Sequence, residues 1–97
     1  LVDSALVVPL LASAIMLCMK YVYILKSCDF PDRHYVGVTA DLKARLAKHN
    51  AREVPHTSKY APWSVKTYIA FSDETQALEF EKYLKSGSGR AFAKKRL

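Results

Sequence analysis

Lys20-Tyr21-Val22-Tyr23-Ile24-Leu25, a polar stretch from Cys28 to Arg33, and His34-Tyr35-Val36-Gly37-Val38 together decide the fold. Aromatic and β-branched residues alternate from Tyr21 to Leu25, and the intervening Cys28-Asp29-Phe30-Pro31-Asp32-Arg33 is rich in turn formers. That order predicts an antiparallel hairpin, because extended chain suits the alternating residues and Pro and Asp favour a reversal. A hairpin alone implies no chemistry.

Downstream, Thr39-Ala40-Asp41 offers capping side chains for a helix over Leu42–Asn50. On a helical wheel Leu42 and Leu46 define the buried stripe, with Arg45 and His49 along one edge of it. An Arg and a His so placed can hold a phosphate by charge-assisted hydrogen bonds. The helix alone favours an ordinary boundary Arg whose stem covers the core. Ala51 to Pro62 has two prolines and no periodicity, so it reads as a loop, with His56, Thr57, Ser58, Lys59 and Tyr60 as its polar content. Trp63 to Phe71 alternates and predicts a third strand, with Trp63, Val65, Thr67, Ile69 and Phe71 on one side.

A second helix opens at Ser72-Asp73-Glu74, where Asp73 and Gln76 resemble a capping box, and Gly87 is its expected stop. Ala77, Phe80, Leu84 and Leu78 form its apolar face. Glu81 falls inside that arc, about 40° from Ala77 and about 60° from Leu84 and Leu78. Desolvating an unpaired carboxylate costs several kcal/mol, so Glu81 should face a cation: Arg45, Lys85 or a metal. A structural ion pair and a functional ligand are equally compatible with the wheel. Ser86 to Arg90 reads as a flexible polar break, followed by a final short helix over 91–97 in which Lys94, Lys95 and Arg96 cluster.

Ninety-seven residues allow one domain with a modest core. All fifteen Lys and Arg lie from Lys20 onward, against eight carboxylates there, so that region carries +7. Such a balance favours a polyanionic partner, nucleic acid above all. Cys18 and Cys28 make no disulfide framework, and with His34, His49 and His56 they match no paired zinc spacing. Both read as reduced thiols of a cytoplasmic protein. Residues 1–19 are almost wholly apolar, with an uncharged core from Ala5 to Met19 shorter than a usual membrane span and, with Asp3 as the only charge, a poor secretory signal. They read as an upstream extension or misplaced start outside the folded domain of residues 20–97, with a membrane anchor as the alternative.

Taken together, Tyr21-Val22-Tyr23 and Tyr35-Val36-Gly37 resemble the two halves of the GIY-YIG nuclease signature, and their separation fits. The Asp41–Leu46 helix with His49-Asn50, the His56–Tyr60 loop and the Glu81–Lys85 helix resemble the family's following parts, so the likeness runs from Lys20 to about Arg96. The sequence is similar to small single-domain bacterial members and to the catalytic domains of excinucleases and homing endonucleases. The resemblance implies an α/β (α+β) fold, a three-stranded antiparallel sheet flanked by helices, and a metal-dependent endonuclease that hydrolyses DNA phosphodiester bonds. By position, Tyr23 is the general base or its relay and Tyr35 orients the nucleophile or a phosphate oxygen. Arg45 stabilises the transition-state charge, His49 and His56 assist by hydrogen bonding or proton transfer, and Glu81 holds one Mg²⁺, or Mn²⁺ in its place. Lys59, Lys85 and Arg90 contact nucleic acid, and Gly37 keeps bulk away from the substrate's approach.

The implied partner is branched, nicked or single-stranded DNA in repair or recombination, with a protein partner or second copy adding specificity and no stable membrane association. Two departures stand out. Tyr21 fills the signature's first glycine slot and reads as a packing residue, and Ser86–Arg90 lacks the asparagine that many relatives carry after the acidic helix. The second departure leaves an alternative, a nucleic-acid-binding module of the same fold with weak or no catalysis.

Overall fold

The hairpin forms where the alternation places it. In the computed structural model, which describes residues 18–97, β1 (Lys20–Ser27) pairs antiparallel with β2 (His34–Thr39). Residues 1–17, and with them the readings of an upstream extension or an anchor, lie outside the described residues. β3 (Trp63–Phe71) joins the other side of β1, also antiparallel, giving the order β2-β1-β3. Helix α1 (Leu42–Asn50) precedes β3, and α2 (Glu74–Leu84) and α3 (Gly87–Arg96) follow it. Among the described residues the fold is therefore α+β, a three-stranded antiparallel sheet with three α-helices. Among the described residues no helix is long and apolar enough to cross a membrane.

Both faces of β1 are covered, and Tyr21 through Leu25 are all buried. A central strand packed on both faces needs no polar alternation. Val22 and Ile24 join Ala77 and Leu84 of α2 in one core, with Val36, Phe71, Phe80 and Ala93 packed against it. Tyr23 and Leu25 face the opposite way, into a second core with Ala61 and Trp63 that is closed by Tyr35, Val65 and the α1 residues Leu42 and Leu46. Each fully buried aliphatic side chain contributes about 1.5–3 kcal/mol.

Strict alternation puts five β3 residues on one face, and the structure divides them. Ile24 is paired with Thr67 but Leu25 with Val65, so one residue, Lys66, is extra at this β-bulge. Because side chains alternate with period two, the extra residue reverses the facing of everything beyond it. Trp63 and Val65 thus enter the core beneath α1, while Phe71 enters the core beneath α2. No single β3 residue type announces the bulge.

The helix starts follow their caps. Asp41 Oδ1 accepts from Ala44 N at 3.0 Å, and Asp73 Oδ1 accepts from Thr75 N at 2.8 Å and Gln76 N at 3.3 Å. The expected flexible break is different: α2 stops at Leu84, and Ser86 caps a helix that already begins at Gly87. Ser86 Oγ accepts from Gly89 N at 3.1 Å and donates to Tyr83 O at 2.6 Å. A capping serine outweighs the low helix propensity of two glycines when tertiary contacts hold the first turn. Leu78, expected on the apolar face, is instead 47% exposed.

Candidate active site

Tyr23 and Gly37 are cross-strand partners on β1 and β2. The Tyr23 ring lies over the glycine so closely that a Cβ at position 37 would come within 2.6 Å of Tyr23 Cζ, and closer still to the hydroxyl oxygen. The sequence reading gave Gly37 the task of clearing the substrate's path; the contact that requires glycine is with Tyr23 itself. Tyr35 stands beside Tyr23 with ring centroids 6.3 Å apart.

Helix α1 delivers the next two groups. Leu42 and Leu46 seat it on the sheet, and the helical period then turns Arg45 and His49 toward the tyrosines. His49 lies deeper than the stripe's edge: it is fully buried, at 0% exposure. Its Nε2 is 3.0 Å from Tyr23 Oη and its Nδ1 is 2.7 Å from Thr57 Oγ1. The Tyr35 and His49 rings are 5.0 Å apart. Burial pushes the Tyr23 phenol above its usual range, Tyr35 and Glu81 add to this, and Arg45 beside the oxygen opposes it. Burial, with Arg45 adding to it, lowers the His49 imidazole below its usual range and so favours the neutral ring.

Glu81 comes from the other side of the sheet. Helix α2 packs against β1 and the edge strand β2, and Glu81 Oε2 lies 3.3 Å from Lys85 Nζ with 20% of its side chain exposed. The cation that faces it is thus Lys85, one helical turn on. Lys85 Nζ in turn sits 6.0 Å from the centre of the Tyr35 ring, joining the acidic position to the tyrosines.

Other named residues fall elsewhere. His56 is exposed and takes part in none of these contacts. Lys59 lies over Tyr60, 5.7 Å from the ring centre, beside Arg33 at 4.8 Å. Arg90 lines an open cleft of about 660 Å³ on the α2 and α3 side of the sheet. The cleft has an apolar floor that includes Ile24 and Val36 and a rim of Arg33, Lys66, Lys85, Arg90 and Lys94, against the single carboxylate of Asp32. Tyr21, in the glycine slot, is buried and meets Tyr68 edge-on at 5.8 Å.

Sequence reasoning passed over two positions. Thr57 is buried at 1% exposure behind His49, and its carbonyl accepts from Trp63 Nε1 at 2.9 Å. Asn50 ties the end of α1 to β3, donating to Trp63 O at 3.0 Å and accepting from Trp63 N at 2.6 Å. A loop without periodicity carries no signal of which hydroxyl turns inward, and nothing in the sequence marks the tie from Asn50 to Trp63.

Comparison with known proteins agrees with this arrangement. The family model described as the GIY-YIG catalytic domain matches residues 19–96. A structure-specific endonuclease subunit SLX1 homolog from Giardia intestinalis is 34% identical over 65 residues, 63% of this chain but only 18% of that protein. The UPF0213 protein SpyM50708 of Streptococcus pyogenes serotype M5 is 35% identical over 72 residues, 73% of this chain and 76% of that protein. With two tyrosines from the hairpin, Arg45 and His49 from α1 and Glu81 from α2 in the signature order, the chain belongs to the GIY-YIG family of nuclease catalytic domains.

Proposed function

We propose that the protein is an endonuclease that hydrolyses DNA phosphodiester bonds, with selectivity for branched, nicked or unpaired structure, in repair or recombination. The observation that carries the reading is the convergence of Tyr23, Tyr35, Arg45 and His49 from three elements, with Glu81 linked to Tyr35 through Lys85. Similarity to a structure-specific endonuclease subunit supports the substrate class. The cationic rim of the adjoining cleft supports a path for the phosphate backbone.

Among the described residues no group of three or more His, Cys, Asp or Glu could hold a metal. The single partly buried carboxylate of Glu81 fits Mg²⁺ nonetheless, since that ion keeps several waters and takes one or two carboxylates plus substrate phosphates. Mn²⁺ fits the same donors. Glu81 would hold the ion, which would supply positive charge for the leaving 3′ oxygen. Tyr23 takes the proton of the attacking water, and Tyr35 orients that water or a phosphate oxygen. Arg45 gives a planar pair of donors to the charge that builds on phosphorus-bound oxygens. Lys85 releases Glu81 and meets a phosphate.

The test is cleavage of labelled linear and branched DNA by the full chain with Mg²⁺ or Mn²⁺. Nicking should stop with EDTA and fall about 10²-fold or more in Glu81→Ala and Arg45→Ala. Full activity in Glu81→Ala, or no metal-dependent nicking at all, would defeat the reading. The Lys85 ammonium on Glu81 and the missing asparagine favour, as a second reading, a binding module without turnover. Salt-sensitive DNA binding with no cleavage under any metal would establish that alternative.

A further inference from the structure

The Thr57 hydroxyl has one proton and two acceptors within reach, and the choice between them decides what His49 does to Tyr23. Val54 O is 3.3 Å from Thr57 Oγ1. That carbonyl already accepts the backbone N–H of Thr57 at 3.1 Å and of Ser58 at 3.0 Å, which occupies both lone pairs. His49 Nδ1 is 2.7 Å away, a full-strength distance for a hydroxyl donor. Distance and lone-pair count both send the proton to His49. A ring that accepts at Nδ1 while neutral carries its own proton on Nε2, which lies 3.0 Å from Tyr23 Oη.

We propose that Thr57 is a positioning residue that locks His49 as the Nε2–H tautomer, so that the imidazole donates to Tyr23 and does not take its proton. Tyr23's own O–H is then directed away from His49. When Tyr23 gives its proton to solvent, two donors receive the phenolate, the imidazole N–H and the neighbouring Arg45 guanidinium. In the step this serves, water gives its proton to the Tyr23 phenolate, the hydroxide bonds to phosphorus as the bond from phosphorus to the 3′ oxygen breaks, the leaving 3′ oxygen takes a proton from solvent water, and His49 keeps its proton throughout. The charged and titratable groups around the pair are Tyr35 from β2, Arg45 from α1 and Glu81 from α2. Only the catalytic consequence rests on the nuclease reading; the tautomer is a property of the free protein.

Long-range ¹H–¹⁵N spectra of the full ¹⁵N-labelled chain at neutral pH read the tautomer without any substrate. Each histidine signal is assigned from its loss in His34→Gln, His49→Gln and His56→Gln. The expected pattern for His49 is a bare Nδ1 and a protonated Nε2. A protonated Nδ1, a doubly protonated ring or an averaged pattern would overturn the proposal. Thr57→Val should shift His49 away from this pattern and lower kcat about tenfold with KM unchanged, and Thr57→Ser should keep both at wild-type values. A Thr57→Val protein with the wild-type tautomer would overturn the role of Thr57. If that variant does not fold, the wild-type and serine spectra decide. If no nicking is found under any condition, the spectra still decide the tautomer, and only the nuclease reading fails.

Discussion

Tyr23, the base in the proposed reaction, is a phenol with no exposed surface, and the groups around it pull its proton affinity in opposite directions. Burial, Tyr35 and Glu81 raise it, while Arg45 lowers it. The base is the deprotonated form, so with the resting phenol above its usual range of about 10 the active fraction grows with pH through neutrality. The expected kcat/KM therefore climbs about tenfold per pH unit from about pH 7 to about pH 9, as the free enzyme's base requires. Tyr23→Phe should abolish the climb and lower the rate at least about 10²-fold, and Arg45→Ala should displace it to higher pH; a flat profile in the wild type would remove Tyr23 from the base's role. Much of this cluster was legible residue by residue, because Arg45, His49 and Glu81 sit at helical positions whose direction the wheel fixes. Thr57 was not, since its inward turn depends on contacts with His49 and Trp63 across an aperiodic loop, which no local pattern marks.

At the level of elements, strands and helices were legible wherever periodicity or a capping side chain marks them, and β3 matches its expected span residue for residue. What periodicity could not carry was the Lys66 bulge, since one extra residue leaves the local alternation intact while exchanging the two faces. The junction of α2 and α3 was misread for a related reason: Gly-Ser-Gly looks flexible in isolation, yet Gly89 is buried against the preceding helix. A Cβ there would lie 2.7 Å from Leu84 Cα and closer to the Tyr83 carbonyl. Backbone cannot yield as a side chain does, so Gly89→Ala should destabilise the fold by about 1–3 kcal/mol. Ser86→Ala, which removes only the cap, should cost about 1 kcal/mol. Urea unfolding midpoints measure both, and a neutral Gly89→Ala would mean that α3 does not pack as described.

Over the whole molecule, the net charge of +6 is unevenly placed. Five cations rim one cleft, and among the described ion pairs only Lys85 of these five is engaged. Phosphate contact by Lys94 or Lys66 would release counterions, so Lys94→Ala should reduce the slope of log affinity against log salt by about 1. Fluorescence anisotropy with labelled duplex measures it, and an unchanged slope would place the backbone elsewhere. The bulge and the two-sided core have a further consequence for spectroscopy. Trp63 is the chain's single tryptophan, and its indole hydrogen-bonds the Thr57 carbonyl in the layer beneath α1. Its emission will report on the packing that backs Tyr23 and Tyr35 and stay silent about the opposite layer, where Phe71 and Phe80 lie. Set beside circular dichroism, that single tryptophan, excited apart from the six tyrosines, shows whether the two halves of the core melt together or apart.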